Sequence, residues 1–217
     1  PPRSTLFPYT TLFRSTKILT FLMVPLYTSV LTTEEYGTYD LAVSTVSLLI
    51  PILSVNIVDG VMRYSMDSRY DRADIFSIGL RRISVAAFIF AAILAANSVF
   101  HITNVFAGEE LLILLYFIST LLYSLLTQFA KGCEAVKQMA IAGIISTVCL
   151  VGTNILLLLV FELGVTGFFI ASCASQLIPA IYLAVRLEIW SYTHLKISKK
   201  IQAEVLKYSA PRSEERR

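Results

Sequence analysis

Apolar stretches of about twenty residues recur along this chain, joined by short polar connections. Each is long enough to cross a bilayer as a helix. They are read as six spans: Ile18–Leu31, Tyr39–Val58, Ile83–Phe100, Leu111–Phe129, Ala140–Phe161 and Gly167–Leu187. The first is short at its N-terminal side. Lipid offers no partner to a free backbone N–H or C=O, so only helices or closed barrels span it. These runs lack the period-two alternation of barrel strands. The expected fold is therefore an all-α membrane protein, a six-transmembrane-helix bundle with antiparallel neighbours. Composition agrees: 15% of residues are charged, against about 25% in soluble domains.

Lys and Arg fall on alternate sides of these spans. Connections 2–3 and 4–5, with the segment after span 6, hold twelve of them, from Arg63 to Lys207. Connections 1–2, 3–4 and 5–6 hold none and carry Glu34, Glu35, Asp40, Glu109, Glu110 and Glu162 instead. By the positive-inside rule the first set is cytoplasmic, and so is the N-terminus near Lys17. The asymmetry also supports the span count, since one missed helix would scramble the alternation. No basic start, short apolar region and A-x-A site combine into a cleaved signal peptide.

The two ends are read separately. TTLFRS (Thr10–Ser15) and RSEERR (Arg212–Arg217) can be encoded by one DNA segment and its reverse complement. Residues 1–15 and 212–217 are therefore expected to be translated adapter. That leaves a membrane lobe over 16–190 and a basic amphipathic segment over 191–211. Residues 16–211 carry 13 Lys and Arg and 13 Asp and Glu, so no nucleic-acid partner is expected. The amphipathic segment reads either as an interfacial helix on anionic lipid or as a linker to a further span, the latter favoured.

Chemistry-bearing motifs are scarce. Cys133, Cys149 and Cys173 are isolated in apolar sequence and form an odd set, so neither a disulfide framework nor a metal site is expected. No nucleophile elbow, phosphate loop or zinc motif is present. His101 and His194 fall in different connections and read as surface residues. No catalytic residue, cofactor or enzymatic activity is expected.

Ionisable groups inside a membrane are costly and usually have a purpose. Asp59 and Arg63, in NIVDGVMRYSMD, are four residues apart and would share a face if span 2 continued through them. They read either as a polar cavity where Arg63 meets an anionic group, or as a structural ion pair at the cytoplasmic mouth of span 2. Arg81 and Arg82 read as anchors just before span 3. Asn154, in the small-residue and hydroxyl-rich span 5, is a further cavity candidate, although close helix packing explains such residues too. Pro25, Pro51 and Pro179 each remove a helical hydrogen bond, and are hinge candidates or plain kinks. Tyr36, Tyr39, Tyr116, Trp190 and Tyr192 lie near span ends as interface anchors.

PLYTSVLTTEEYGTYDLAVSTVSLLIPILSVNIVDGVMRYSMD (Pro25–Asp67) resembles the start of the Wzx-type polysaccharide flippases: a Pro-Leu-Tyr first helix, an acidic E-E-Y-G loop, and a second helix closing near D-x-x-x-R-Y. QFAKGCEAVKQMAIAGIISTVCLVGTNILLLLVFELGVTGFFIASCAS (Gln128–Ser175) is similar to that family's fourth-to-sixth-helix stretch, and KYSAP to the start of its seventh helix. The resemblance covers nearly all of residues 17–211.

It implies the multidrug/oligosaccharidyl-lipid/polysaccharide exporter superfamily, whose members have two pseudo-symmetric lobes around a central cavity. This chain would be the N-terminal lobe, which alone cannot enclose that cavity. The implied function is flipping of an undecaprenyl-pyrophosphate-linked oligosaccharide across the bacterial inner membrane by alternating access. Arg63 would meet the pyrophosphate. The implied partners are the lipid-linked oligosaccharide, membrane lipid and a coupling ion, H+ or Na+. A cation-coupled drug exporter and a peptidoglycan-precursor flippase of the same superfamily stay open. So does a non-transporting membrane scaffold.

Overall fold

The computed structural model describes residues 25, 27, 30–100, 108–192 and 199–209. Among them there is no strand, and five helices are long and apolar enough to cross a membrane. These are α1 (Thr33–Ser54), α3 (Arg72–Phe100), α4 (Glu110–Gly132), α5 (Val136–Asn154, continued to Val160 by a π-helical turn) and α6 (Gly164–Arg186). Two short α-helices, α2 (Ile57–Ser65) and α7 (Lys199–Ser209), and a 3-10 turn over Ile189–Tyr192 are also described. The chain is an all-α, multi-pass membrane bundle. The first expected span, both expected adapter ends, His101 and His194 lie wholly or mostly outside the described residues.

Side-chain exposure fits lipid as the solvent. Phe88, Leu111 and Leu48 are 77%, 77% and 69% exposed on the long helices. In water such an apolar belt would be an aggregation surface; in a bilayer it costs nothing. The protein core lies between helices, where Phe90 stacks on Phe117 with ring centroids 4.3 Å apart and Phe76 packs on Phe129 at 4.8 Å. The most enclosed helix is α6, packed against α5, α4 and α1.

Local signals set the helix boundaries. α1 begins at a capping box: the Glu35 N–H donates to Thr32 Oγ1, and the Thr32 N–H donates to Glu35 Oε2 at 2.8 Å. Such reciprocal caps fix a helix start. Glu34 and Glu35, read as loop residues, are thus the first turn of the helix. Its other end corrects the expected Tyr39–Val58 span. Val55 and Asn56 both take left-handed backbone conformations, with φ 56° and 49°, so α1 stops at Ser54 and α2 is a separate helix. Likewise α3 starts eleven residues before the expected Ile83, and Asp71 caps it by accepting the Ala73 N–H at 2.9 Å. Arg81 and Arg82 are therefore inside α3, not ahead of it.

The helices run up and down between two chemically distinct ends. At the acidic end Thr166 donates to Glu109 at 2.9 Å, tying α6 to the start of α4. At the basic end α2 sits between α3, α4 and α7. Glycine permits that fit. A Cβ on Gly132 would lie 2.6 Å from Ser65 Cβ and 2.8 Å from the Met62 carbonyl oxygen, and one on Gly60 would collide with Ser209 Oγ.

Candidate functional site

The sharp break after α1 opens a cavity of about 410 Å³ at the basic end of the bundle. Its walls come from the end of α1 (Ile50, Ser54), from the break and the first turn of α2 (Asn56, Asp59), and from α4, with Met139 of α5 closing one side. α4 contributes Tyr123, Ser124, Thr127, Gln128 and Lys131. These recur at helical spacing, so one face of α4 is polar inside an otherwise apolar helix. Sequence reasoning missed this stripe, although YSLLTQFAK carries it openly.

Asp59 is exposed to the cavity, and its Oδ1 accepts a long hydrogen bond from Gln128 Nε2 at 3.5 Å. Lys131 brings the opposite charge to the same cavity. The two do not pair: among the described residues the ion pair is Arg69 with Asp67, at 2.6 Å. One hydroxyl oxygen on the walls, Ser54 Oγ, is buried without a hydrogen-bond partner among the described residues.

Arg63 departs from the expected arrangement. It does not pair with Asp59 among the described residues, and it is not a wall of the cavity. Its guanidinium instead lies 4.3 Å from the ring centroid of Tyr208 in α7, and Tyr208 raises its pKa above the ordinary value. The reason is the extra helix. α7 docks on α2 through the fully buried Val205, while the Tyr64 and Tyr70 hydroxyls donate to Glu204 at 3.4 and 3.1 Å. The amphipathic segment is thus folded back onto the lobe. The loop between α2 and α3 is pinned by Asp67, whose carboxyl is held down at about 2 by the Arg69 hydrogen bonds.

We expect Arg63→Ala and Tyr208→Ala each to lower the unfolding temperature slightly, with the double variant losing little more than either alone. Thermal unfolding of the three variants measures this. Additive losses would show that the two side chains do not act together.

Asn154 is likewise not a wall of this cavity. It is fully buried at the far end of α5, where its Nδ2 donates to the Leu150 carbonyl at 2.7 Å and its Oδ1 has no partner among the described residues. Of the prolines, Pro51 lies on an exposed face of α1, and the break falls beyond it: the N–H groups of Val55 and Asn56 both return to the Pro51 carbonyl. Pro179 is buried inside α6, which continues through it. Pro25 is helical and exposed at the edge of the described residues.

Compared with known proteins, the sequence matches no family model and no curated protein. Its structure is similar to that of a MOP superfamily transporter from Pyrococcus furiosus Vc1 (DSM3638), described as having a binding pocket of reverse polarity that suggests a different function. The TM-score is 0.64 at 15% identity, over 91% of this chain. The chain spans 48% of that transporter's length, so it has the fold of about half of such a molecule.

Proposed function

We propose that this chain is the N-terminal lobe of a transporter that flips a lipid-linked oligosaccharide by alternating access. The observation that carries the reading is the polar cavity, set among membrane-spanning helices in a fold that matches half of a transporter. Charged and amide side chains gathered on one wall of an open cleft beside membrane-spanning helices fit a passing polar ligand. A second lobe would close over it. The isoprenoid tail would stay in lipid beside the apolar outer faces. The sugar and its pyrophosphate would occupy the cavity, where Lys131 rather than Arg63 is the cation in direct reach. Asp59, Gln128 and Asn56 would accept and donate hydrogen bonds to sugar hydroxyls. Arg63 would act indirectly, by fastening α2 to α7.

The test is transport itself. In proteoliposomes, the full-length protein is expected to move a fluorescent polyprenyl-pyrophosphate sugar between leaflets. An intact, reconstituted protein that leaves the probe in its original leaflet would sink the reading. One specific observation favours a second reading: Asp59 in the cavity is the carboxylate that a cation-coupled drug exporter needs. Export of a cationic dye with no movement of the lipid-linked sugar would support it.

The proposed orientation places the basic end in the cytoplasm. A single cysteine at position 68, in the α2–α3 loop, is expected to react with a membrane-impermeant thiol reagent only after the cells are opened. One at position 108, before α4, is expected to react in intact cells. The native cysteines are replaced in both variants. The opposite pattern would invert the topology.

A further inference from the structure

α3 has 29 residues, about 43 Å at a rise of about 1.5 Å per residue. It outruns the roughly 30 Å of a bilayer's hydrocarbon core. Burial shows which part is surplus. From Ala73 to Gly79 every residue of α3 is buried except the partly buried Asp74. There α2, α4 and the turn Ile189–Tyr192 pack around it. Beyond Leu80 one face opens, with Val85 and Phe88 43% and 77% exposed. Arg81–Phe100 is then the stretch of about 20 residues that a crossing needs.

Arg81 stands at that boundary. It is exposed and in no ion pair among the described residues. Asp74, the carboxylate on the same face of α3, lies two turns below, about 10 Å along the axis. Helical side chains lean toward the N-terminus of their own helix, so Arg81 leans out of the apolar layer toward the basic end. Just inside the boundary, α3 and α4 leave a groove of about 150 Å³ between them. Leu80, Ile83 and Ala87 form one wall, and Ile118 and Leu122 the other. Ser84 also lines it, but its Oγ already donates to the Leu80 carbonyl at 2.9 Å, so the groove calls for an apolar occupant. Ser84 is three positions after Arg81, which puts the cation at the groove's edge.

The basic end of the groove has a floor. Ser77 Oγ on α3 donates to the Tyr192 carbonyl at 3.0 Å, and the Tyr192 ring lies 5.4 Å from that of Phe129 on α4. Trp190, on the same turn, is 69% exposed, and such a tryptophan suits headgroup level. Apolar slot, cation and aromatic floor thus follow one another in the order of a lipid's tail, phosphate and headgroup. Basic pockets between membrane helices hold anionic lipid in this way.

We propose that Arg81 and the α3–α4 groove bind one anionic phospholipid, its phosphate on the guanidinium and one acyl chain between the helices. The site shares no wall with the cavity beside Asp59 and does not depend on the proposed transport. With a single cation at the mouth, a lipid of net negative charge is favoured over a zwitterionic one, whose own ammonium offsets its phosphate. Bound there, the lipid fills the groove and fastens α3 to α4.

The experiment is thermal unfolding of the purified chain in a non-ionic detergent, titrating phosphatidylglycerol against phosphatidylcholine with the same acyl chains. Phosphatidylglycerol is expected to raise the midpoint saturably, by about 5 °C at a hundredfold excess over half-saturation. Phosphatidylcholine is expected to need about tenfold more. Arg81→Gln is expected to weaken phosphatidylglycerol about tenfold and to remove the preference between the two lipids. Arg72→Gln, which removes a charge at the same end but away from the groove, is expected to change neither. Ala87→Phe, which fills the groove, is expected to abolish both responses. Should Ala87→Phe fail to fold, the exposed Arg81 decides alone. Equal half-saturation by the two lipids, equal losses in Arg72→Gln and Arg81→Gln, or a full response in a folded Ala87→Phe would each overturn the site. So would inorganic phosphate reproducing the whole shift, because that would assign Arg81 to a free anion.

Discussion

Gly132→Ala will destabilise this protein by about 1–3 kcal/mol, the cost of forcing extra atoms into a packed contact. The added methyl group would meet Ser65 Cβ at 2.6 Å and the Met62 carbonyl oxygen at 2.8 Å. One of these is backbone and the other is fixed to it, so neither can swing away as a long side chain would. The only relief is to push α2 off α4, which also moves Asp59 relative to Gln128. Gly143→Ala is the matched control: its Cβ would meet nothing within 4 Å, and alanine is the better helix former by about 1 kcal/mol. At about 2–4 °C per kcal/mol for a chain of this size, Gly132→Ala is expected to unfold several degrees below the parent. Gly143→Ala is expected to unfold at or above it. Equal midpoints for the two variants would mean that α2 does not seat against Gly132 as described.

The second large effect is functional. On the proposed function, Lys131→Ala in the full-length protein is expected to lower the rate of lipid-linked sugar movement by about 10–100-fold. That is the worth of one charge-assisted hydrogen bond to a phosphate, about 1.5–3 kcal/mol. Lys131→Arg keeps a cation and is expected to retain part of the activity, because the cavity wall is open enough for a longer side chain. Membrane abundance should be unchanged in both, since Lys131 is exposed and has no ion pair among the described residues. Arg63→Ala is expected to act differently, lowering stability together with rate and being reproduced by Tyr208→Ala. Loss of transport in Arg63→Ala at full stability, with normal transport in Lys131→Ala, would restore Arg63 as the direct contact. That outcome would remove Lys131 from the site.

Particular residues show why some features were legible in the sequence and others were not. The five described membrane helices were, because each needs a long apolar run and such runs stand out in the sequence. Helix starts were less so. The capping pair Thr32 and Glu35 was present in TTEEY, yet acidic residues before an apolar run also read as a loop. The polar stripe on α4 was visible as spacing, but spacing does not say whether a helix face meets lipid, protein or a cavity. Asp59 and Arg63 were visible as charges. Their separate partners were not, because Arg63 goes to Tyr208, 145 positions along the chain.

By itself, then, the sequence determined the class, the alternation of helices and the chemical difference between the two ends. The bilayer imposes those features on hydrophobicity and charge locally, run by run. Only the tertiary structure decided which polar groups share a space. Val55 and Asn56 both adopt left-handed conformations, which Asn56 tolerates but β-branched Val55 does not favour, and the packing of α2 against α3, α4 and α7 offsets that cost. That long-range packing ends α1 at Ser54, sets Asp59 against Gln128, and gives Arg63 to α7.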